Sequence, residues 1–586
     1  MKKFFNSSLE SENDGAYLRQ QREGDEESKP ESSSASVSAS EPRSDAKIYI
    51  AIAFVVTLVF GSGILIGHYV IGNSDSSNNL EFQYDSTCTE PLVNSMDDRD
   101  AIISCLYDVN LKEDVVVPWS SDYYETSQVF SRFYQNYPLA IIYVRTEEEV
   151  AATMRCASTY NVRVSARSGG HGNSGNAVST GAITIDLSNM TAVATNVSTD
   201  EVTNVTSAIA MVQAGNTAGT ATYFILKQTN FTYTVPVGQK PTVGMGGLTL
   251  GGGFGFTTRH AGFLCDRVIS IRAVTTNGDI IIANETHHSE LLWASCGGGG
   301  GNFAVVTEFT YSMFPLLPEI TEFHYHIDTT NVSSAAIAMR DYQIFSYHLD
   351  SRATCNMEVA SQSSANMTGI FLGTVEEFED VLANLTTELG EDLFPLEGWD
   401  LKSTTYIEAV LDLSGWETVT LESLRENFDS ERNYYQFKSF LLQEPLPDIA
   451  MDMLLAAVNL TVPNVGLVYE FQSLGGNGSA FSAVGDEDTA VSQRKTRHCL
   501  MLKSWGPNLR VGENLFGEMS NLSFALDEHI VGSGAYVNHL DYELWNYERA
   551  YYGLSDENHW NRTILRLRAI NELYDPKGLL DGLQLF

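Results

Sequence analysis

Two glycine-rich segments contain the residues whose types and spacing are best suited to chemistry. The first runs from Arg167 to Gly175 and reads RSGGHGNSG, and the second runs from Pro241 to Gly255 and reads PTVGMGGLTLGGGFG. Glycines allow positive φ angles and a close backbone approach, so neighbouring N–H groups can converge on a phosphate or pyrophosphate. The first segment also holds a histidine, whose neutral imidazole is a nucleophile. Taken alone, this segment is equally well interpreted as a tight surface turn.

The elements around these segments alternate between strands and helices. LAIIYVRTEEEVAATMRCASTYNVRVSA predicts a strand, a helix that begins with a capping box at Thr146 and Glu149, and a second strand that leads into the first segment. VISIRAVTTNGDIIIAN predicts a hairpin at Asn277-Gly278, and SELLWASCGGGGGNFAVVTEFTY predicts a short helix, five glycines and a strand. Neither glycine run has the context of a P-loop or a Rossmann turn, so ordinary nucleotide folds are disfavoured.

The first hundred residues differ in composition from the rest of the chain. Residues 1–47 are rich in Ser, Glu and Gly, which predicts a disordered tail. Residues 48–71 contain no charged side chain and are long enough to cross a bilayer, so we predict a transmembrane signal-anchor followed by a linker at 72–99. A cleavable signal peptide or a buried core helix is the alternative. Lys and Arg residues precede the span and none follows it before Arg99, which predicts a cytoplasmic N-terminus.

The remainder of the chain has the features of a lumenal or extracellular protein. The whole sequence has 35 Lys and Arg residues against 74 Asp and Glu residues, a net charge of −39, which argues against nucleic-acid binding. Twelve Asn-x-Ser/Thr sequons follow the span and predict glycosylation. They lie at Asn189, Asn196, Asn204, Asn230, Asn284, Asn331, Asn366, Asn384, Asn459, Asn477, Asn521 and Asn561.

Seven cysteines also follow the span, in the compartment where disulfides persist. None belongs to a CxxC pair, so the spacing predicts no metal site and no thioredoxin-like chemistry. The odd number leaves at least one cysteine unpaired.

Together, the four glycine and hairpin blocks resemble the FAD-binding module of the vanillyl-alcohol oxidase and p-cresol methylhydroxylase superfamily. Tyr536-Val537-Asn538, the following LDYELWN and the late YDPKGLLDG are similar to the berberine bridge enzyme-like branch. The resemblance covers about residues 100–586 and implies an α+β fold. It implies an FAD-binding domain at 100–315 with its core at 134–315, a substrate domain at 316–530 with an antiparallel sheet flanked by helices, and a C-terminal segment at 531–586 that completes the FAD domain.

The resemblance implies how FAD is held. A histidine at the position of His171 bonds covalently to the 8α carbon of FAD in this family, and the segment from Arg167 to Gly172 wraps the pyrophosphate. Some relatives form a second bond from a cysteine at the position of Lys240, so this chain is expected to form one link only. Val243 lies where the family has its dioxygen gate, and valine there is associated with oxidases.

The full set of cofactor-binding residues follows from the same resemblance. They are His171, Arg167, Ser168, Gly169, Gly170, Gly172, Asn173, Val243, Gly246, Gly247, Gly251, Gly253, Asn302 and Asn538. The resemblance also implies a disulfide between Cys105 and Cys156. It leaves the other five cysteines without assigned partners.

Three residues are candidates for catalysis. Tyr536 is expected to take the hydroxyl proton of a substrate, because the Tyr-x-Asn motif lies near the flavin ring in relatives. An ordinary tyrosine has a pKa of about 10, so the site must supply positive charge or hydrogen bonds. Glu470 and Gln472 are candidates to assist or to hold substrate, although surface strand residues would show the same pattern.

The expected function is that of a membrane-anchored FAD oxidase. Its partners would be a small sugar, alcohol or related molecule, and dioxygen, which would be reduced to hydrogen peroxide. One alternative is a flavin dehydrogenase with an acceptor other than dioxygen. Another is a catalytically silent binding glycoprotein that keeps the fold.

Overall fold

This computed structural model describes residues 96–582, with gaps at 201–205, 329–331, 362–363, 391–392, 416–418, 426–431, 459–465, 531–533, 545–546 and 554–556. The predicted tail, the predicted span at 48–71 and Cys88 lie outside the described residues. Across the described part of the chain, no helix is both long enough and apolar enough to cross a membrane.

The described residues form eighteen strands. The strands are β1 (Val115–Val116), β2 (Ala140–Tyr143), β3 (Val164–Arg167), β4 (Ile183–Asp186), β5 (Val193–Thr199), β6 (Thr206–Gln213), β7 (Tyr233–Thr234), β8 (Val268–Val274), β9 (Ile280–Asn284), β10 (Val305–Ser312), β11 (Phe314–Pro315), β12 (Ile320–Asp328), β13 (Ala353–Ser361), β14 (Ser364–Phe371), β15 (Trp399–Thr404), β16 (Tyr434–Leu442), β17 (Gly466–Ser473) and β18 (His498–Gly506).

Fifteen α-helices connect and cover these strands in the described ranges. The helices are α1 (Met96–Val109), α2 (Tyr123–Thr126), α3 (Glu147–Tyr160), α4 (Ala218–Gln228), α5 (Met245–Leu250), α6 (Thr258–Ala261), α7 (Ser289–Ala294), α8 (Val332–His348), α9 (Val375–Leu389), α10 (Tyr406–Leu413), α11 (Asp448–Val458), α12 (Ala480–Ala483), α13 (Leu509–Asp527), α14 (Tyr547–Tyr552) and α15 (Glu557–Tyr574).

The first sheet has the order β1-β2-β4-β3, and β2 and β3 both run parallel to β4. Helix α3 connects β2 to β3, which confirms the predicted strand–helix–strand unit. The Thr146 hydroxyl accepts the Glu149 N–H and caps α3. The Glu149 carboxylate accepts the N–H of Arg145 rather than that of Thr146, so half of the predicted capping box forms. Strand β3 ends at Arg167, where the first glycine-rich segment begins.

The second sheet is antiparallel with the order β5-β6-β10-β8-β9. Strands β8 and β9 form the hairpin predicted from Asn277-Gly278, and Gly278 has a φ of +78°. This positive φ explains the glycine, because an L side chain there would be strained. The two sheets share one apolar core, which includes Ile142, Ile183, Phe309 and Tyr311.

The third large sheet has seven strands in the order β15-β12-β14-β13-β17-β18-β16, all of them paired antiparallel. Helices α8, α9, α11 and α13 contact its strands. Side chains of these helices and of the sheet form a second apolar core that contains Tyr342, Phe371, Leu454 and Met519. The opposite face of the sheet, on β13, β16, β17 and β18, is directed toward the first two sheets and the glycine-rich segments.

The chain returns to the first core after the seven-stranded sheet. Tyr552, Ile564 and Leu567 of α14 and α15 are buried in the same apolar cluster as the first two sheets. Beyond α15, the backbone N–H of Val164 donates to the carbonyl of Leu579 at 2.7 Å, and the backbone N–H of Asp581 donates to the carbonyl of Val164 at 2.8 Å. The C-terminal segment therefore lies along strand β3, directly before the first glycine-rich segment.

Two disulfides are present among the described cysteines. Cys105 in α1 bonds to Cys156 in α3, which confirms the pairing implied by the family resemblance. Cys265 bonds to Cys296, a pair that the sequence left unassigned. The second bond joins the end of the loop after α6 to the run of five glycines. Cys355 and Cys499 are buried free thiols.

Candidate active site

One cavity of about 1030 Å³ lies between the two glycine-rich segments, the open face of the seven-stranded sheet and residues 536–540. The cavity size is at the upper end of the range for small-molecule and cofactor sites, about 300–1,000 Å³. His171, Val243, Gln472, Tyr536 and Asn538 all line it. The fold therefore brings together residues that are separated by more than three hundred positions in the sequence.

The two glycine-rich segments touch backbone to backbone. A Cβ atom at Gly169 would lie 2.3 Å from the backbone nitrogen of Gly244, and one at Gly244 would lie 2.1 Å from the nitrogen of Gly169. Ser168 fixes the same contact, because its hydroxyl donates to the carbonyl of Ala214 at 2.5 Å and accepts the N–H of Gly246 at 3.2 Å. No other residue type fits at Gly169 or Gly244 without moving the backbone.

The side chain of Arg167 does not line the cavity. Its guanidinium is buried in an ion pair with Asp186 of the neighbouring strand β4, and it donates to the carbonyl of Thr126 at 2.5 Å. Arg167 therefore anchors the start of the glycine-rich segment to the first sheet. The sequence indicated the correct segment, but the function of its arginine is structural in this geometry.

The imidazole of His171 faces the cavity. It is half-buried and stacks on the ring of Phe130, with ring centroids 4.2 Å apart and an interplanar angle of 19°. Burial lowers the pKa of His171 to about 4, so the imidazole is neutral at physiological pH. Within the described residues, neither ring nitrogen has a hydrogen-bond partner. The geometry thus places a neutral imidazole in the wall of the cavity.

Asn173 links the same segment to the opposite wall. Its side-chain amide donates to the backbone carbonyls of Phe437 in β16 and Leu540, both at 3.0 Å. Its carbonyl oxygen is buried and has no partner among the described residues. Because a buried acceptor without a partner costs free energy, this oxygen is suited to a donor group of a bound molecule.

The open face of the sheet gives the cavity a polar wall. Glu358 of β13 lies directly opposite Glu470 of β17, and Gln472 follows on the same face of β17. Glu470 forms an ion pair with Lys503 of β18 and accepts a hydrogen bond from Gln472 at 2.7 Å. The second polar atom of Gln472, its carbonyl oxygen, is buried without a partner among the described residues. These groups are suited to binding the hydroxyl groups of a small polar molecule.

The catalytic candidates occupy different positions relative to this cavity. Gln472 lines the cavity. Glu470 does not line it, but forms an ion pair with Lys503, which does. Burial lowers the pKa of Lys503, while the nearby Glu358 carboxylate acts in the opposite direction. Lys240 lines the cavity as well, and its ammonium donates to the carbonyl of Ser414 at 2.6 Å. Two cationic side chains therefore lie in the wall of a protein with a large negative net charge.

The Tyr536 hydroxyl accepts two hydrogen bonds, one from the N–H of Gly253 and one from the side-chain amide of Asn538, both at 3.0 Å. These donors favour the phenolate, but burial has the larger effect and raises the pKa of Tyr536 above its ordinary value. The site thus supplies the hydrogen bonds that the sequence required of it. It does not by itself make Tyr536 ionised at neutral pH.

Several predicted cofactor ligands shape the site from outside the cavity. A Cβ atom at Gly251 would lie 2.1 Å from the Asn538 side chain, and Gly253 has a φ of +77°. Asn302 is buried, and its amide donates to the carbonyl of Gly298 at 2.9 Å. These three residues do not line the cavity. The lining does include Ser168, Gly169, Gly170, His171, Gly172, Asn173, Val243, Gly246, Gly247 and Asn538.

Among the residues of the site that were not predicted from the sequence are Phe130, Glu358 and Lys503. Lys503 had a detectable signal, because it is the only charged residue in the mostly apolar run CLMLKSW at residues 499–505. Glu358 and Trp505 lie on strands of the seven-stranded sheet. Pairing between distant segments of the chain determines which side chains of these strands face the cavity. Phe130 lies outside the strands and helices and gave no local signal.

The residues present fit FAD. Glycine backbone forms one wall of the cavity. Gly247 in this wall is exposed, and a Cβ atom added to it would have no protein atom within 4 Å. Backbone amides and unobstructed glycines of this kind are what a pyrophosphate and a flat ring require. His171, Asn173 and Asn538 are among the residues that line the same space.

Known proteins support this assignment. A family model described as an FAD binding domain matches residues 138–284. The FAD-linked oxidoreductase YvdP of Bacillus subtilis is 29% identical over 79% of this chain and 96% of its own length. The glucooligosaccharide oxidase of Sarocladium strictum is 26% identical over 82% of this chain and 93% of its own length.

A solved structure shares the fold. The berberine bridge enzyme-like protein 1 of Physcomitrella patens superposes with a TM-score of 0.71 at 20% identity. The superposition covers 82% of this chain and 97% of that protein. At this level of identity the similarity shows the fold alone.

Gly247→Ala tests whether the glycine wall contacts the cofactor. No protein atom lies within 4 Å of the new methyl group, so the fold should be unaffected. We expect flavin content per polypeptide to fall about fivefold, because overpacking a fitted contact costs about 1 kcal/mol or more. Flavin absorbance against protein concentration measures this change.

Gly517→Ala is the matched control, because Gly517 also lies in a helix with open space around its Cβ position but is remote from the cavity lining. It should keep its flavin and gain roughly 0.5–1 kcal/mol of stability. Equal flavin content in both variants would argue against cofactor contact at Gly247.

Proposed function

We propose that this chain, an FAD-linked oxidoreductase with a p-cresol methylhydroxylase-type FAD-binding domain and relatives among the berberine bridge enzyme-like proteins, is an oxidase of carbohydrates or related alcohols. In the proposed reaction, the hydroxyl-bearing carbon of the substrate loses a hydride, its hydroxyl loses a proton, and dioxygen is reduced to hydrogen peroxide. The observation that carries the proposal is that the segment around His171 and the polar face of the seven-stranded sheet line the same cavity.

The composition of the cavity supports a substrate with several hydroxyl groups. Gln472, Glu358 and Lys503 offer donors and acceptors on one wall, and Tyr435 and Trp505 are directly opposed on β16 and β18 of the same wall. Polar groups combined with aromatic side chains in a cavity wall are suited to sugar rings. Relatives named glucooligosaccharide oxidase and chitooligosaccharide oxidase cover more than nine-tenths of their own lengths in the match, which supports the same class.

We propose Tyr536 as the group that takes the substrate hydroxyl proton, with Gln472 and the Glu470–Lys503 pair holding the substrate. Bound FAD supplies the acceptor for the hydride and returns the two electrons to dioxygen. The N–H of Gly253 and the amide of Asn538 both donate to the Tyr536 oxygen, so they favour its phenolate, the form that can accept the proton.

We also propose that FAD is attached through His171 alone. When the bond forms, one hydrogen leaves the imidazole nitrogen and one leaves the 8α methyl group of FAD, and dioxygen accepts both as hydrogen peroxide. The low pKa of His171 supports this role, because the nitrogen needs no deprotonation of an imidazolium first. Among the described residues no cysteine lines the cavity, and Lys240 does line it, which supports a single link.

The attachment is tested by denaturing and precipitating the protein and measuring the flavin that stays with the polypeptide. We expect about one flavin per chain in the parent and none in His171→Ala, because that variant lacks the proposed nucleophile. Flavin released from both proteins would remove the covalent role of His171. An absence of flavin in native parent protein would instead favour the silent binding glycoprotein.

The oxidase activity is tested by a peroxide assay of glucose, cello-, chito- and xylooligosaccharides and simple alcohols. A substrate that reduces the flavin anaerobically, followed by reoxidation in air within seconds, is the expected result. Val243 in the cavity lining supports this outcome. Flavin that is reduced by substrate but stays reduced in air would favour the dehydrogenase.

Tyr536→Phe tests the proposed base once a substrate is known. The variant keeps the ring but loses the oxygen that accepts from Gly253 and Asn538. We expect flavin reduction under stopped-flow conditions to slow by about a hundredfold, the lower range for loss of a general base, with the flavin still covalently bound. A reduction rate equal to that of the parent would exclude Tyr536 from this role.

We further propose a membrane-anchored protein with its catalytic part on the lumenal or extracellular side. Nine of the predicted sequons lie in the described residues, and none of the eight asparagines whose side chains are described is buried. Six are exposed, namely Asn189, Asn196, Asn230, Asn384, Asn477 and Asn521. Accessible acceptors on a folded surface support glycosylation.

Expression of the full chain in a eukaryotic secretory host tests this location. We expect a glycosidase to lower the apparent mass on a gel, and the protein to remain in the membrane fraction after alkaline extraction, because the 48–71 segment is long enough to span a bilayer. Deletion of residues 1–74 with a cleavable signal in their place should release the protein while keeping the glycan shift. An unglycosylated protein in the soluble fraction would overturn the proposed location.

A further inference from the structure

Phe130 connects His171 to the roof of the cavity. Its ring stacks on the imidazole of His171 at a centroid distance of 4.2 Å and on the ring of Tyr435 at 4.9 Å, with an interplanar angle of 12° for the second pair. The three rings are nearly parallel, and all three residues line the cavity. The imidazole is thus the end of a stack that begins on strand β16.

Hydrogen bonds attach the backbone around Phe130 to both of the segments whose rings it contacts. The N–H of Phe130 donates to the carbonyl of Gly170 at 3.0 Å, next to His171 itself. The hydroxyl of Ser131 donates to the carbonyl of Tyr435 at 2.7 Å. The position of Phe130 is therefore set by the same two segments whose rings it touches.

This arrangement limits the motion of His171. The imidazole has no hydrogen-bond partner in the described part of the chain, so hydrogen bonding does not set the angle of its ring. Stacking against a fixed aromatic face is then the contact that selects the ring plane. A ring stacked on Phe130 has one face covered, so its edge and its other face are what the neighbouring space can reach.

We propose that Phe130 is a positioning residue for covalent flavin attachment, which holds the His171 imidazole in the plane from which a ring nitrogen reaches the cofactor. The inference rests on the proposed His171 link. It adds a residue to the attachment step, in which one hydrogen leaves the imidazole, one leaves the 8α methyl group, and dioxygen accepts both as hydrogen peroxide. Holding a nucleophile in a near-attack geometry accelerates bond formation without any chemical role for the holding group.

The test compares variants of the full chain made in a secretory host. Phe130→Leu keeps apolar volume but removes the aromatic face, and Phe130→Tyr keeps the face. For each protein, total flavin and the flavin retained after denaturation are both measured, and the time course of attachment is followed with added FAD in air. The readout is the ratio of covalent to total flavin at fixed times after saturating FAD is added, so that a loss of cofactor affinity does not change it.

Phe437→Leu is the matched control. Phe437 also lines the cavity and stacks within the same sheet, with Tyr435 at 6.2 Å and His539 at 5.9 Å, but makes no ring contact with His171. Its loss therefore alters the aromatic wall without freeing the imidazole. His171→Ala gives the baseline of retained flavin for a protein that lacks the covalent link.

We expect Phe130→Leu to slow attachment about threefold or more, which is within the range that loss of one aromatic stack can produce. Phe130→Tyr and Phe437→Leu should keep the ratio of the parent. If Phe130→Leu is not secreted, Phe130→Met, which is also apolar and without a ring, takes its place.

An unchanged ratio in the Leu variant, or an equal fall in Phe437→Leu, would overturn the role of Phe130 while leaving the His171 link intact. A parent protein that releases all its flavin on denaturation would overturn both the link and the role of Phe130.

Discussion

The close contact between Gly169 and Gly244 is the constraint on which the rest of the site depends. Each residue leaves room for the backbone of the other only because neither has a Cβ atom, and Ser168 ties the two segments together through the Ala214 carbonyl and the Gly246 N–H. His171 and Val243 each lie within two residues of this contact. A single backbone approach therefore sets the distance between the proposed flavin-linking nitrogen and the wall where dioxygen is expected to enter.

Hydrogen bonds to backbone carbonyls are part of what attaches the seven-stranded sheet to the glycine-rich segments. Asn173 donates to the carbonyls of Phe437 and Leu540, and Ser131 donates to that of Tyr435. Carbonyl positions are fixed by the sheet, so these bonds transmit the geometry of β16 directly to the glycine-rich segment. The spacing between the glycine-rich segments and the sheet is therefore set at the backbone. It does not depend on which side chains lie on the inner face of the sheet.

Local patterns predicted the parts of the molecule whose geometry is set within a few residues. The strand–helix–strand unit before His171, the hairpin at Asn277-Gly278 and the strand that carries Gln472 all follow from periodicity and turn residues. Parts that depend on long-range register could not be read in this way. Glu358 faces the cavity because β13 pairs with β17 over a separation of more than a hundred residues, and no local pattern encodes that pairing.

The same environment has opposite consequences for the two residues proposed to do chemistry. Burial disfavours charge, so it keeps His171 neutral and nucleophilic, and it also keeps Tyr536 protonated, the form that cannot accept a proton. Cofactor attachment through a neutral nitrogen gains from this burial, whereas a base needs compensation for it. The hydrogen bonds from Gly253 and Asn538 supply that compensation at the oxygen itself. Tyr536 must therefore lose its own proton before it can accept one from a substrate hydroxyl, and these two donors favour the phenolate that proton removal requires.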